Sequence, residues 1–347
     1  MPVTVFGRSS SRPVRVEVFA KTDLGKTRDH NEDRFLVADL TRGASSLQPD
    51  VRNHVVGGRG SLFVVADGMG GAAAGELASE MATQAIYEQM LRALSREREI
   101  TPQRFAARLK EAVEGANAQI HSYAVEHPDV RGMGTTTTAA GLLADHLFLT
   151  QVGDSRAYLI RNGEAVQLTK DQSLMQRLVE AGELTEEEAA KSERRNIILQ
   201  ALGPDARVKV DLTHQELRKG DMLVLCSDGL SGQVTKAEIA AIASGERDLR
   251  VACEKLIALA NARGGPDNVT VVLARFDGDG LRPPEASAEV GHQVYPLIDT
   301  ETSTEPVPVY RGSRPPESSA QSRWRLIVLL AAAIAAAGAL YLANRSQ

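Results

Sequence analysis

Two periodicities alternate along residues 1–280. Runs with an apolar residue at every second position predict strands at 14–21 (VRVEVFAK), 34–39 (RFLVAD), 60–67 (GSLFVVAD) and 136–144 (TTTAAGLLA). Four more follow at 146–153 (HLFLTQVG), 156–163 (RAYLIRNG), 222–228 (MLVLCSD) and 268–276 (NVTVVLARF). Longer stretches with apolar residues three and four apart predict helices over 73–94, 102–127, 236–243 and 249–263. Pro102, directly after Thr101, marks the start of the second of these. Asn162-Gly163 ends one strand and predicts a tight hairpin back into AVQLTK. Several strands follow one another without a helix between them. Parallel pairing needs a crossover after each strand, so this order argues for antiparallel sheets with a pair of long helices packed outside. There is no internal repeat.

The pattern changes after residue 280. Residues 281–322 are rich in Pro, Ser, Thr and Glu, have few clustered large apolar side chains, and read as a disordered linker that cannot close a core. Tyr295–Ile298 has the alternative reading of a short extended piece docked on the body. Residues 326–343, LIVLLAAAIAAAGALYLA, carry no charge. As a helix they span about 27 Å, close to a hydrocarbon layer of roughly 30 Å. Residues 323–347 therefore read as a transmembrane helix with a short tail, and a helix buried in protein is the alternative. Arg323 and Arg325 flank the near end and Arg345 the far end, a bias that favours a cytoplasmic body. MPVTVFGRSS lacks the apolar run of a secretory signal. The expected placement is single-pass in the inner membrane, with residues 1–280 cytoplasmic and the bilayer as a partner.

Composition narrows the chemistry. A formal net charge of −5 offers no basic surplus for a phosphate backbone, so nucleic acid is not an expected partner. Cys226 and Cys253 stand alone, with no CxxC pair, which speaks against structural zinc or a disulfide framework. Cys226 is followed by SDGLSG without the arginine of a CxxxxxR loop, which disfavours a cysteine nucleophile cradling phosphate.

The informative residues are aspartates placed beside glycines at the ends of apolar strands. They fall in TRDHNEDR (27–34), VVADGMGG (64–71), LCSDGLSG (225–232) and GGPDNVTVV (264–272). Each Asp taken singly has a plain reading as a turn or cap residue. If they converge, their charges repel unless a cation offsets them, and oxygen donors without His or Cys select a hard ion such as Mg2+ or Mn2+.

Glu32-Asp33 after Arg28, DGMGG at 67–71, GMGTT at 132–136, GDSR at 153–156, CSDG at 226–229 and GPDN at 265–268 resemble, in order and spacing, the metal-dependent PPM/PP2C-type protein phosphatases, most closely bacterial members that oppose Ser/Thr kinases. The resemblance covers residues 14–276. It implies an α+β, four-layer α-β-β-α sandwich with two central antiparallel sheets, and a catalytic domain over 1–280. It implies hydrolysis of phosphoserine and phosphothreonine in proteins by a water bridging two divalent cations, Mn2+ or Mg2+. Asp33 would be a ligand, Asp67 would bridge, Gly68 would offer its carbonyl, and Asp228 and Asp267 would complete the set. Glu32 would act through ordered water, and Arg28 would clamp the phosphoryl group. A third cation would be held by Asp129 with Asp228 shared, or Asp129 is an ordinary surface carboxylate. Asp154 and Arg156 read as turn and scaffold residues. A membrane Ser/Thr kinase is expected as a partner beside phosphorylated proteins.

Met69 replaces the histidine that animal relatives often have in DGHGG, and a thioether cannot deliver a proton to the leaving oxygen. His30 is the histidine to test for that task, with a solvated side chain as the alternative. Residues 170–203 resemble the family's flap and should border the cleft. Arg194 and Arg195 there would meet acidic substrate residues or form a solvated face. Residues 37–62 read as a surface loop.

Overall fold

Phe63 and Val65 face one way along their strand, Leu62, Val64 and Ala66 the other, and all five are fully buried. A strand apolar on both faces requires a packed layer on each side, and the molecule is built around that requirement. The computed structural model describes residues 12–192, 194–285 and 289–297. Its elements begin with β1 (Arg15–Asp23), β2 (Asp33–Asp39), β3 (Ala44–Ser45), α1 (Pro49–Arg52), β4 (Asn53–Val55) and β5 (Ser61–Met69). Two long helices follow, α2 (Ala72–Arg96) and α3 (Pro102–Glu126), then β6 (Gly134–Thr135), β7 (Thr137–Leu143), β8 (His146–Val152), β9 (Arg156–Arg161) and β10 (Glu164–Gln167). The remainder is α4 (Leu174–Glu180), α5 (Glu186–Lys191), β11 (Asp211–Glu216), β12 (Met222–Cys226), α6 (Asp228–Ser231), α7 (Lys236–Gly245), α8 (Leu249–Ala262) and β13 (Val269–Asp277).

One sheet has the order β10-β9-β12-β13-β1-β4, and the other β11-β8-β7-β5-β2-β3. The ladders within both are antiparallel. Their inner faces meet in an apolar layer that includes Val18, Phe63, Leu149, Leu159, Leu225 and Phe276. Outside the second sheet, α2 and α3 bury Ile86, Met90, Phe105 and Leu109 against Leu62 and Val64. Outside the first, α7 and α8 bury Ile239, Leu256 and Ile257 against Val224 and Leu273. The expected four-layer sandwich is present. Thr101 accepts from Arg104 N and opens α3 at Pro102, as its sequence signal predicts.

The membrane expectation is corrected. Among the described residues no helix is long and apolar enough to cross a membrane. The helices α2 and α3 have 25 residues each, ample length, but they carry charges such as Glu80, Glu88 and Arg92, or Arg108, Lys110 and Glu114. The span read at 326–343 lies outside the described residues. The transmembrane helix is therefore withdrawn from the fold. With it go the inner-membrane placement, the cytoplasmic orientation, the bilayer partner and the membrane kinase inferred from anchoring.

Two stretches differ from their polar appearance. Residues 37–62 contain β3, α1 and β4, pair with strands of both sheets, and bury Val51 in the sandwich interior. After β13 the described residues stay on the body. His214 N donates to Gln293 O at 2.9 Å and Tyr295 N to Leu212 O at 3.0 Å, so this segment adds to the open edge of β11. Tyr295 is 6% exposed, and its ring meets Phe148 edge-on at 5.1 Å. One aromatic side chain holds down a stretch whose composition suggests a tether.

Candidate functional site

Antiparallel pairing of β2 with β5 sets Asp33 directly opposite Asp67. Like charges so placed destabilise a ladder, and the arrangement needs another reason to exist. The first sheet delivers two more carboxylates to the same place: Asp228 directly follows the β12 exit at Ser227, and Asp267 precedes β13. Ser227 joins the sheets, its hydroxyl donating to Asp33 Oδ2 at 2.7 Å and accepting from Thr270 N at 3.0 Å.

Asn268 fixes the remaining loop. Its Oδ1 accepts from Glu32 N at 2.8 Å, and its Nδ2 donates to Leu24 O and His30 O at 2.9 Å each. The loop carrying Arg28, Glu32 and Asp33 is thereby tied to the residue beside Asp267. Gly25, at φ +81°, lets this loop run so close that an added Cβ would lie 2.2 Å from Asp267 O. At Gly68 an added Cβ would meet Gly75 O at 2.2 Å, which keeps α2 against the strand carrying Asp67. Asp67 itself is held by its main chain: its N donates to Thr136 Oγ1 at 3.1 Å, and its O accepts from Thr136 N at 2.8 Å.

The electrostatics are those of carboxylates crowded away from water. Burial, ahead of the Asp228 and Asp267 charges, pushes Asp33 up to about 7 despite hydrogen bonds from Thr270 and Ser227. Burial, then the charges of Asp33 and Asp228, hold Asp67 well above the usual carboxylate range. Burial and Asp267 raise Asp228 to about 6. Among the buried side-chain oxygens, Asp33 Oδ1 and Asp228 Oδ1 have no hydrogen-bond partner. An orphaned buried carboxylate oxygen costs free energy unless a proton or cation satisfies it. Oxygen donors alone fit a hard divalent cation. Among the described residues no three acidic, His or Cys side chains stand close enough together to hold a metal ion. Asp267 contributes to that openness, because its Oδ2 accepts from Arg28 Nη2 at 2.8 Å. The fit to cations therefore rests on the orphaned oxygens and the charge crowding, with side-chain adjustment on loading.

A pH dependence follows. Asp33 and Asp228 keep their protons to higher pH in the folded chain than in the unfolded one, so the folded state binds more protons between about pH 4 and about pH 7. Raising pH through that window favours unfolding. Thermal unfolding in chelator is expected at higher temperature at about pH 5 than at about pH 8, with saturating Mn2+ removing the difference. A metal-free protein more stable at the higher pH contradicts this.

The other expected residues sit as follows. Glu32 is half-buried, raised chiefly by burial, and its carboxylate lies against Gly75, where a Cβ would come within 2.4 Å of Oε2. Arg28 has a half-exposed side chain on the rim. Asp129 is exposed on the turn Pro128–Val130 and shares no hydrogen bond or ion pair with the cluster. His30 is exposed, and the fold uses its carbonyl. Asp154 reads as scaffold in the sequence, yet burial and then Asp228 raise it to about 7, and its charge also acts on Asp67. Its GDSR stretch was legible, but the proximity was not. Asn268 and Ser227 fell inside the motifs without an assigned task.

From the cluster a cavity of about 620 Å³ runs under the expected flap. It is lined by Arg28, Asp228 and Asp267 together with Met175, Arg195 and Lys236. Arg194 is not among its lining residues.

Known proteins resemble this chain in sequence and in fold. A family model described as protein phosphatase 2C matches residues 42–261. The chain is 37% identical over 253 residues to the serine/threonine phosphatase stp of Listeria innocua, covering 73% of this chain and 93% of the relative. The crystal structure of the Mycobacterium tuberculosis serine/threonine phosphatase PstP superimposes with a TM-score of 0.64 at 36% identity, covering 76% of this chain and 99% of that one. A PstP catalytic domain in complex with two manganese ions gives a TM-score of 0.62 at 36% identity, covering 76% of this chain and 99% of that chain.

Proposed function

The chain belongs to the protein phosphatase 2C family, and from that membership we propose how its own residues serve the reaction. It is a metal-dependent serine/threonine protein phosphatase, and its reaction is hydrolysis of phosphoserine and phosphothreonine monoesters in proteins. The observation that carries the residue assignment is the meeting of Asp33, Asp67, Asp228 and Asp267 from both sheets, with two carboxylate oxygens left unsatisfied.

Two divalent cations, when bound, supply a water made nucleophilic at neutral pH and neutralise charge on the phosphoryl oxygens. Asp33, Asp67, Asp228 and Asp267 would hold them, with Asp67 contributing charge to both and the Gly68 carbonyl as a further donor. Glu32 would act through ordered water. Asp154 stands next to Asp228 and adds a further carboxylate on that side. A third cation, shared by Asp228, is the remaining assignment for Asp129, which would have to approach from its exposed turn. Arg28 presents a planar guanidinium at the cavity rim, suited to two phosphoryl oxygens at once. Its hold on Asp267 must loosen or be shared as substrate arrives. Met69 offers no proton, so none of the side chains assigned here protonates the leaving oxygen.

The manganese-bound relative supports a divalent cation, Mn2+ or Mg2+. The purified protein is expected to hydrolyse a phosphothreonine peptide with Mn2+ or Mg2+, and to stop in chelator. Hydrolysis that survives chelation defeats the assignment.

A further inference from the structure

The ion pair beside the acidic cluster has no task in the reaction described above. Arg156 opens β9, two residues after Asp154. Its Nε lies 3.0 Å from each carboxylate oxygen of Asp171, and its Nη2 lies 2.6 Å from Asp171 Oδ2. Its Nη1 donates to Tyr158 OH at 3.2 Å. Gln167 Nε2 donates to Asp171 Oδ1 at 3.1 Å, so the carboxylate is held from a second side. A forked contact with these supports fixes where the guanidinium points. Asp171 lies between β10 and α4, three residues before the first flap helix. The pair therefore ties the base of the flap to the strand end that carries Asp154.

Direction matters because of what Arg156 faces. Its positive charge acts on both Asp154 and Asp228. All four residues line the same cavity. A cation fixed nearby weakens divalent binding at those carboxylates through repulsion, which scales with the product of the charges. A guanidinium released from Asp171 does more, because it can turn onto Asp154 or Asp228 and occupy the oxygens a metal would use.

We propose that Asp171 is a positioning residue that holds Arg156 back from Asp154 and Asp228, and that this clamp sets the divalent-cation affinity of that side of the centre. The inference rests on the cation-binding reading of the acidic cluster. It predicts opposite consequences for the two ends of one ion pair. Loss of Asp171 frees the guanidinium and weakens cation binding. Loss of Arg156 removes the repulsion and strengthens it.

The test is calorimetric titration of the full chain with Mn2+, repeated by electron paramagnetic resonance of free Mn2+, so that no step depends on turnover. Asp171→Asn is expected to weaken the most weakly held Mn2+ by about 10- to 100-fold, the range for outer partners of metal sites. Arg156→Gln is expected to tighten it, because the repelling charge is gone. The double variant should follow Arg156→Gln, because no guanidinium remains to swing. Arg156→Lys keeps the charge and loses the fork, so its affinity should fall below wild type. It serves as the second arm if the glutamine variant does not fold. A merely structural ion pair would shift both single variants the same way, or neither, and that result overturns the proposal. Wild-type protein that binds no Mn2+ at millimolar concentration defeats the cation reading itself, and this proposal with it.

Discussion

Asp67→Asn is expected to lower Mn2+-dependent turnover of a phosphothreonine peptide by roughly three orders of magnitude and, in chelator, to raise the temperature of unfolding. Both effects come from one side chain. Asp67 faces Asp33 across the β2–β5 ladder and feels the charges of Asp228, Asp154 and Asp267. Asparagine keeps the shape and leaves the main-chain bonds to Thr136 in place. It removes the charge that two cations would share, and losing a preorganised electrostatic contact of this kind costs about 10²- to 10³-fold or more in rate. Without cations the same charge is a burden, because burial and like neighbours both oppose ionisation. Its removal should raise the melting temperature by about 2–4 °C for each kcal/mol gained in a domain of this size. Circular dichroism melts in chelator and a phosphate-release assay read the two effects separately. A variant that keeps its rate, or that melts earlier than wild type without metal, contradicts the assigned place of Asp67.

Much of this centre was legible before the fold was known, because strand ends and aspartates coincide in the sequence. The period-2 runs at 34–39 and 60–67 end or begin next to Asp33 and Asp67, and the structure puts these two opposite each other. Spacing alone did not show that convergence, since each Asp-Gly pair also reads as a turn. Asp154 escaped for a related reason. It sits between two strands where turn residues are common, and only the packing of β9 against β12 brings it beside Asp228. Asn268 and Ser227 act through bonds to residues 236 and 194 positions away, for which a local pattern has no signal.

The fold was misjudged where composition stood in for contact. Residues 37–62 are polar, yet Val51 fills the space between the sheets. The strand β11 was missed because its Asp, His and Gln residues blur the alternation, although Leu212, Thr213 and Gln215 are buried. The segment docked on its edge depends on Tyr295. An apolar run at the end of a sequence is evidence about partitioning, and none of the described helices supplies the span it suggested. At Val51, in β11 and at Tyr295, side-chain packing outweighed average polarity.

Arg28→Ala is expected to separate cation affinity from catalysis. Arg28 pairs with Asp267 at 2.8 Å, but its side chain is 51% exposed, so the pair adds little stability and the variant should melt near the wild-type temperature. Removing the guanidinium frees Asp267 for a cation, and Mn2+ affinity should hold or rise. Turnover should nevertheless fall, with kcat/KM down about 10²-fold, because the phosphoryl oxygens lose a donor aimed from the cavity rim. Inorganic phosphate should inhibit the variant less well than wild type, since product and substrate present the same oxygens to Arg28. Arg28→Lys keeps the charge without the planar fork and should fall between the two. The informative measurement is the pair of constants on one preparation, Mn2+ affinity by calorimetry and kcat/KM at saturating Mn2+. If both drop together, Arg28 serves the cations through Asp267 and does not clamp the substrate.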